Sequence, residues 1–168
     1  LSADEPTRQY LRKWVESGKG LVILHHALCS FGDWPWWTNE VMGAKYLFEP
    51  FQGKPPSTYH HDQQIPVSII KQHFVTDGVP EFTIHDETYK GMWFAPNLEV
   101  LATTTHPLGD GPVAWIGPSK LNRVAVIQLG HDRHANRNPY WQRLVRNAIV
   151  WAGYSRPPAP SVPKPEHK

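Results

Sequence analysis

Two apolar runs in this chain end in histidine, and they constrain its fold more than any other feature. They are Gly20-Leu21-Val22-Ile23-Leu24-His25-His26 and Arg123-Val124-Ala125-Val126-Ile127-Gln128-Leu129-Gly130-His131-Asp132. A short, continuous apolar run bounded by polar residues reads as a strand buried on both faces, the kind found in a covered parallel sheet. Ligands of open α/β sheets bind beyond the carboxyl ends of the strands. Titratable residues delivered there by two strands therefore mark a candidate site. A third polar group, His85-Asp86-Glu87-Thr88-Tyr89, follows the apolar run Phe82-Thr83-Ile84 and joins them.

With 168 residues, the chain is the size of one ordinary domain and can bury a core unaided. Its formal net charge of +2 and the lack of a basic stripe argue against a nucleic-acid partner. No apolar run is long enough to span a membrane. Cys29 is the sole cysteine, so no intrachain disulfide can form and the compartment, cytoplasmic or periplasmic, is left open. The sequence opens at Leu1 without methionine or a signal-like segment, so it does not fix localisation. Two biases stand out, 8 Trp and 10 His. Trp34, Trp36 and Trp37 crowd together, suited either to a core or lid or to stacking on a sugar ring.

Residues 4–17 read as a helix, capped by Ser2 or Asp4, with Pro6 in its first turn and Tyr10, Leu11, Trp14 and Val15 as its apolar stripe. Gly18 and Gly20 end it. A short helix is expected near 36–42, and strands at 67–70, 82–84, 98–103, 112–116 and 123–129. His60, His61 and Asp62 fall in a polar stretch that reads as a loop. Asn138-Pro139 starts a last helix to about Ala152, its apolar face Trp141, Leu144, Val145, Ala148 and Ile149. From Ser155 onward 5 of 14 residues are Pro, so residues 154–168 read as a disordered tail or linker after a domain at 1–153. The order suits an α/β fold with a mixed or parallel sheet. Because such sheets open with βαβ units, the chain reads as the C-terminal two thirds of a larger domain, with an exposed strand edge.

Several stretches in order carry a family resemblance: 18–25 after the first helix, Gly43-Ala44-Lys45-Tyr46, 73–80, Asp86-Glu87-Thr88-Tyr89, Thr105-His106-Pro107, Pro112-Val113-Ala114-Trp115, 123–132 and 138–152. Together they resemble the ThuA-like (trehalose utilisation) family. That resemblance implies a flavodoxin-like, class I glutamine amidotransferase-like sheet with helices on both faces, N-terminally truncated here. It also implies carbohydrate metabolism, with trehalose or a related disaccharide, oxidised or not, as the substrate class. In class I amidotransferases the strand matching 21–24 ends in the nucleophilic Cys and the strand matching 124–129 in the triad His. Here those positions hold His25 and His131, and Cys29 lies four residues too late, so glutaminase chemistry is not expected.

The expected catalytic set is His25, Glu87, His131, Asp86 and Asp132, with the carboxylates as acid–base or His-orienting groups or else as loop caps. The expected substrate-binding set is His26, Trp34, His61, Tyr89 and His134. His26 should point away from His25 if the strand continues through it. No cofactor and no metal ligand set is predicted. A divalent ion such as zinc is compatible with the residue types, but no HxxxH or HExxH motif groups them. The expected partner is a small-molecule sugar ligand, and self-association as a homo-oligomer is left open. Two functions follow: a His/carboxylate acid–base enzyme on a sugar or sugar derivative, with a hydrolase as one form of it, or a non-catalytic carbohydrate-binding or interaction module of a larger protein.

Overall fold

The computed structural model describes residues 2–154; the Pro-rich segment read as a tail lies outside them except for Tyr154. In chain order the elements begin with α1 (Glu5–Glu16) and β1 (Leu21–Leu24), then a 3-10 turn at His25–Cys29 and a π-helical segment at Trp36–Met42. Next come β2 (Ala44–Lys45), β3 (Thr58–Ile69), a 3-10 turn at Phe74–Thr76, β4 (Phe82–Lys90) and β5 (Trp93–Phe94). The chain continues through β6 (Glu99–Thr103), β7 (Pro112–Ile116), β8 (Val124–Ile127), α2 (Arg133–Asn136) and α3 (Pro139–Gly153).

The main sheet has the order β1-β8-β7-β6-β3-β4, and β2 and β5 form a separate pair. It is mixed. Only β1 and β8 run parallel, Leu21 opposite Val124 through Leu24 opposite Ile127, and every other neighbour is antiparallel. β1 is an edge strand.

The period-2 alternation of β8 explains why its sequence is apolar throughout. Ala125 and Ile127 enter one core with Leu144 and Ala148 of α3, while Val124 and Val126 enter a second core with Val15 of α1, Trp37 and Trp115. Helices thus cover both faces, as the fold class requires. The helix ends form where the sequence places caps: Asp4 accepts from the Thr7 N–H, and Asn138 accepts from those of Tyr140 and Trp141. Two stripe residues depart from expectation. Tyr10 of α1 is 62% exposed. Ile149 is 58% exposed, because the face of α3 that meets the sheet is centred on Leu144 and Ala148, both fully buried. No described helix is long and apolar enough to cross a membrane.

Two expectations are corrected. Residues 58–64 are not a loop but the first half of β3, which pairs with β4 from Thr58 opposite Lys90 onward. Their side chains are exposed on both faces, so backbone pairing, not an apolar pattern, makes them a strand. β4 likewise continues past Ile84 through Lys90, carrying Asp86, Glu87 and Tyr89 into the interior instead of into a loop.

Candidate functional site

β1 and β8 run parallel side by side, so their carboxyl ends open on the same edge of the sheet. At the end of β1 the chain turns sharply. His25 has φ 39, a left-handed conformation that a non-glycine residue adopts at a cost of about 1–3 kcal/mol. Its side chain is 4% exposed. Nδ1 lies 2.6 Å from the Gln128 carbonyl, which can only accept, so Nδ1 carries the proton and donates it. The Nε2 lone pair is thereby left facing the site. Burial holds the His25 imidazole below the usual histidine range, against the raising influence of the Gln128 bond and of the Asp86 and Glu87 carboxylates.

Glu87 of β4 is the hub. Its carboxylate is 3% exposed, and Oε2 lies 3.0 Å from His25 Nε2, 3.4 Å from His131 Nδ1 and 3.9 Å from His26 Nε2. Oε1 lies 3.0 Å from His61 Nδ1. His25 Nε2 and His131 Nδ1 are 3.2 Å apart. Four imidazoles therefore surround one buried carboxylate, and among the described residues no Lys or Arg pairs with it. Tyr89 stacks on His25 at 5.0 Å between ring centres, with its hydroxyl 3.2 Å from Nε2. Burial, with help from Cys29 and Glu87, pushes the Tyr89 phenol far up, so it stays protonated and serves as a donor.

A β-bulge brings His61 in. Between the pairs His60–Thr88 and Gln63–Asp86 the register shifts, so His61 and Asp62 together face Glu87, with Asp62 at φ 57. His26 also joins the cluster, against expectation, because the strand stops at Leu24 and the 3-10 turn brings its ring within 4.5 Å of the His25 ring. One donor atom from each of His25, His26, Glu87 and His131 lies within 4.8 Å of all the others, so these four have the spacing to hold an ion.

The remaining expected residues separate by role. Asp86, 2% exposed, turns its carboxylate to the backbone, accepting from the N–H groups of Glu87 (2.8 Å), Gly130 (2.7 Å) and His131 (2.9 Å). It fixes the turn that presents His131. Gly130 is required there, with φ 119 and the Trp141 ring against its Cα. Asp132 caps α2 through the N–H groups of His134 and Ala135, and these bonds hold its carboxyl below the usual range. His134 packs on His85, 5.3 Å between rings, outside the Glu87 cluster. Trp34 is 6% exposed, sandwiched with Trp36 and Trp37 beneath Arg8 and Arg12, so it is core and offers no face to a sugar. Gln128 was missed by sequence reasoning. Its backbone carbonyl orients His25, and its side chain, buried like its apolar neighbours, donates to the Glu87 carbonyl. A polar amide inside an apolar run was the available signal.

The Cys29 thiol lies 4.0 Å from the Tyr89 oxygen and is pushed up by burial, which keeps it a thiol. A cleft of about 430 Å³ opens beside it, lined by Asp33, Lys45, Tyr46, Phe48, Glu49 and Phe51 among others. Tyr46 meets Tyr89 edge-on at 5.1 Å, so Tyr89 stands between this cleft and the cluster. A groove of about 560 Å³ lies elsewhere, between the ends of α1 and α3 around Trp14, Gly20 and Ile149, away from the histidine cluster.

No curated protein matches the sequence significantly. Among solved structures, a ThuA-like protein from Parabacteroides merdae superposes with a TM-score of 0.79 at 22% identity over 98% of this chain and 71% of its own. A ThuA-like protein from Bacteroides uniformis gives 0.66 at 22% identity, over 90% of this chain and 66% of its own. The fold also recurs within a β-galactosidase from Bacillus circulans, with a TM-score of 0.59 at 14% identity, over 92% of this chain and 22% of that one. The chain thus spans roughly two thirds of the length of its ThuA-like structural relatives. At these identities the superpositions establish the flavodoxin-like α/β fold. The family model for ThuA, described as trehalose utilisation, matches residues 2–152, and the chain belongs to that family.

Proposed function

We propose that this chain acts on a sugar or sugar derivative, of the class of trehalose or an oxidised disaccharide, by acid–base chemistry at the Glu87 cluster. The observation that carries this reading is the buried Glu87 carboxylate ringed by His25, His26, His61 and His131 with, among the described residues, no Lys or Arg paired to it. Such an arrangement sets several imidazoles within reach of one carboxylate, so that a proton can be handed from one to the next. His61, 51% exposed, sits where a proton can pass between Glu87 and solvent. The protonated Tyr89 hydroxyl supplies a hydrogen bond to a developing negative charge. The cleft around Tyr46, Phe48 and Phe51 offers aromatic surface and polar groups suited to a sugar ring, the role that buried Trp34 cannot fill. Glutamine hydrolysis has no place in this reading, because the nucleophile position holds His25.

The test is to incubate the purified protein with trehalose and with its keto derivatives and to follow the sugar by NMR. Turnover is expected, falling by about 10²-fold or more in Glu87→Gln and in His131→Ala. Alkylation at Cys29 should leave it nearly intact. Saturable sugar binding without turnover would replace the enzyme reading with a binding module.

A further inference from the structure

The geometry points to a divalent transition-metal centre at His25 Nε2, Glu87 Oε2 and His131 Nδ1, with His26 Nε2 on its solvent side. The three inner atoms form a triangle with edges of 3.0, 3.2 and 3.4 Å. Four ligands held tetrahedrally at about 2.05 Å from an ion stand about 3.3 Å apart, and cis ligands of an octahedron at about 2.1 Å stand about 3.0 Å apart. The triangle therefore already has the dimensions of one face of a coordination sphere. His26 Nε2, 3.9 Å from Glu87 Oε2 on a side chain that is 67% exposed, is loosely placed and leaves room for solvent or substrate.

The hydrogen bonding leads to the same place. The Gln128 carbonyl takes the Nδ1 proton of His25, so Nε2 presents a lone pair, and Glu87 Oε2 presents another at 3.0 Å. Two acceptors this close need a cation or a proton between them. The Tyr89 hydroxyl has one proton and can satisfy only one of these acceptors, while His131 Nδ1 adds a third ligand atom at the same point. A backbone carbonyl on the far nitrogen of a ligating histidine is the usual device for fixing its tautomer and ring plane. His61 does the corresponding work for the carboxylate by occupying Oε1, which leaves Oε2 to bind alone. The set is rich in imidazole, which suits Zn²⁺ or Fe²⁺ and disfavours Ca²⁺, Mg²⁺ and, to a lesser degree, Mn²⁺, which prefer oxygen.

This deepens the catalytic reading of the same site: an ion there would polarise a sugar carbonyl or hydroxyl at its open side, with His61 left to move the proton. Its binding can be measured without any sugar. The full chain is stripped with a chelator and titrated calorimetrically with Zn²⁺ and with Mn²⁺, and Co²⁺ is added for its visible spectrum. Expected are one ion per chain, a dissociation constant of about 10 µM or tighter for Zn²⁺, and weakening of about 10- to 100-fold in Glu87→Gln, His131→Ala and His26→Ala. His60→Ala, on the exposed part of β3, should bind like the wild type. His26→Ala guards against misfolding, since that side chain is mostly exposed, and the Co²⁺ spectrum of the wild type needs no variant. No stoichiometric binding, or binding that all three variants leave unchanged, overturns the proposal. A bound ion without sugar turnover sinks only the catalytic reading, and turnover that survives complete chelation sinks only the ion.

Discussion

Replacing Asp86 with alanine isolates what holds the site together from what the site does. The carboxylate is almost fully buried and accepts from three backbone N–H groups, two of which, those of Gly130 and His131, lie across the sheet edge from it. Hydrogen bonds to a charged acceptor contribute about 1.5–3 kcal/mol each, so the two tertiary bonds amount to about 3–6 kcal/mol. Removing the side chain also removes the cost of burying its charge, which offsets part of that sum. The expected net loss is about 3 kcal/mol, read as a lower urea midpoint by tryptophan fluorescence, with a melting temperature lower by about 6–12 °C. His131→Ala is the comparison. It deletes a partly exposed ring but keeps the His131 N–H that bonds Asp86, so it should cost less than about 1 kcal/mol. The reasoning fails if Asp86→Ala stays within about 0.5 kcal/mol of the wild type, or if His131→Ala costs as much as Asp86→Ala.

Two further predictions rest on other parts of the fold. An added Cβ at Gly117 would overlap the Val41 carbonyl and the Val124 side chain, so Gly117→Ala should destabilise by about 1–3 kcal/mol in the same urea assay, whereas Gly153→Ala, in open space at the end of α3, should be neutral or slightly stabilising. His73 caps the 3-10 turn by accepting the Val75 N–H on Nδ1, and burial lowers its pKa from the ordinary histidine value. A depressed histidine contributes its stability fully above the unfolded-state value of about 6.5 and loses it as pH falls through the lower folded-state value. Stability should therefore drop more steeply below neutrality in the wild type than in His73→Asn, which caps without titrating; parallel pH curves for the two proteins would refute this.

The sequence disclosed those elements whose local signals and tertiary roles agree. Asp4 and Asn138 cap the helices they were expected to cap, and the apolar runs at β1 and β8 became strands, β8 buried throughout and edge strand β1 buried only at Ile23. The 3-10 and π-helical segments and the long β3–β4 pair were less legible. Thr58–Gln64 carries no apolar alternation because both its faces meet solvent, and β4 conceals its burial behind charged residues. Asp86 and Glu87 are buried because their partners, backbone N–H groups and imidazoles, come from segments remote in sequence. His25 and His131 were placed by the strand-end rule and do converge. Asp132, His134 and Trp34 have other roles, since a cap, an outlying ring pair and a tryptophan stack look the same in one dimension as groups lining a site.

The buried bond from His25 to the Gln128 carbonyl joins residues 103 positions apart. Closing a flexible segment of that length costs about 4 kcal/mol, more than one neutral hydrogen bond returns. Edge strand β1 must therefore be secured by its whole four-residue register and the histidine cluster at once, in a chain whose single cysteine rules out an internal covalent tie. The cluster thus comes into being only when the last strand docks. A molecule or ion bridging His25 and His131 would act as a reversible fastener on that closure, adding about 2.7 kcal/mol at a hundredfold excess over its dissociation constant.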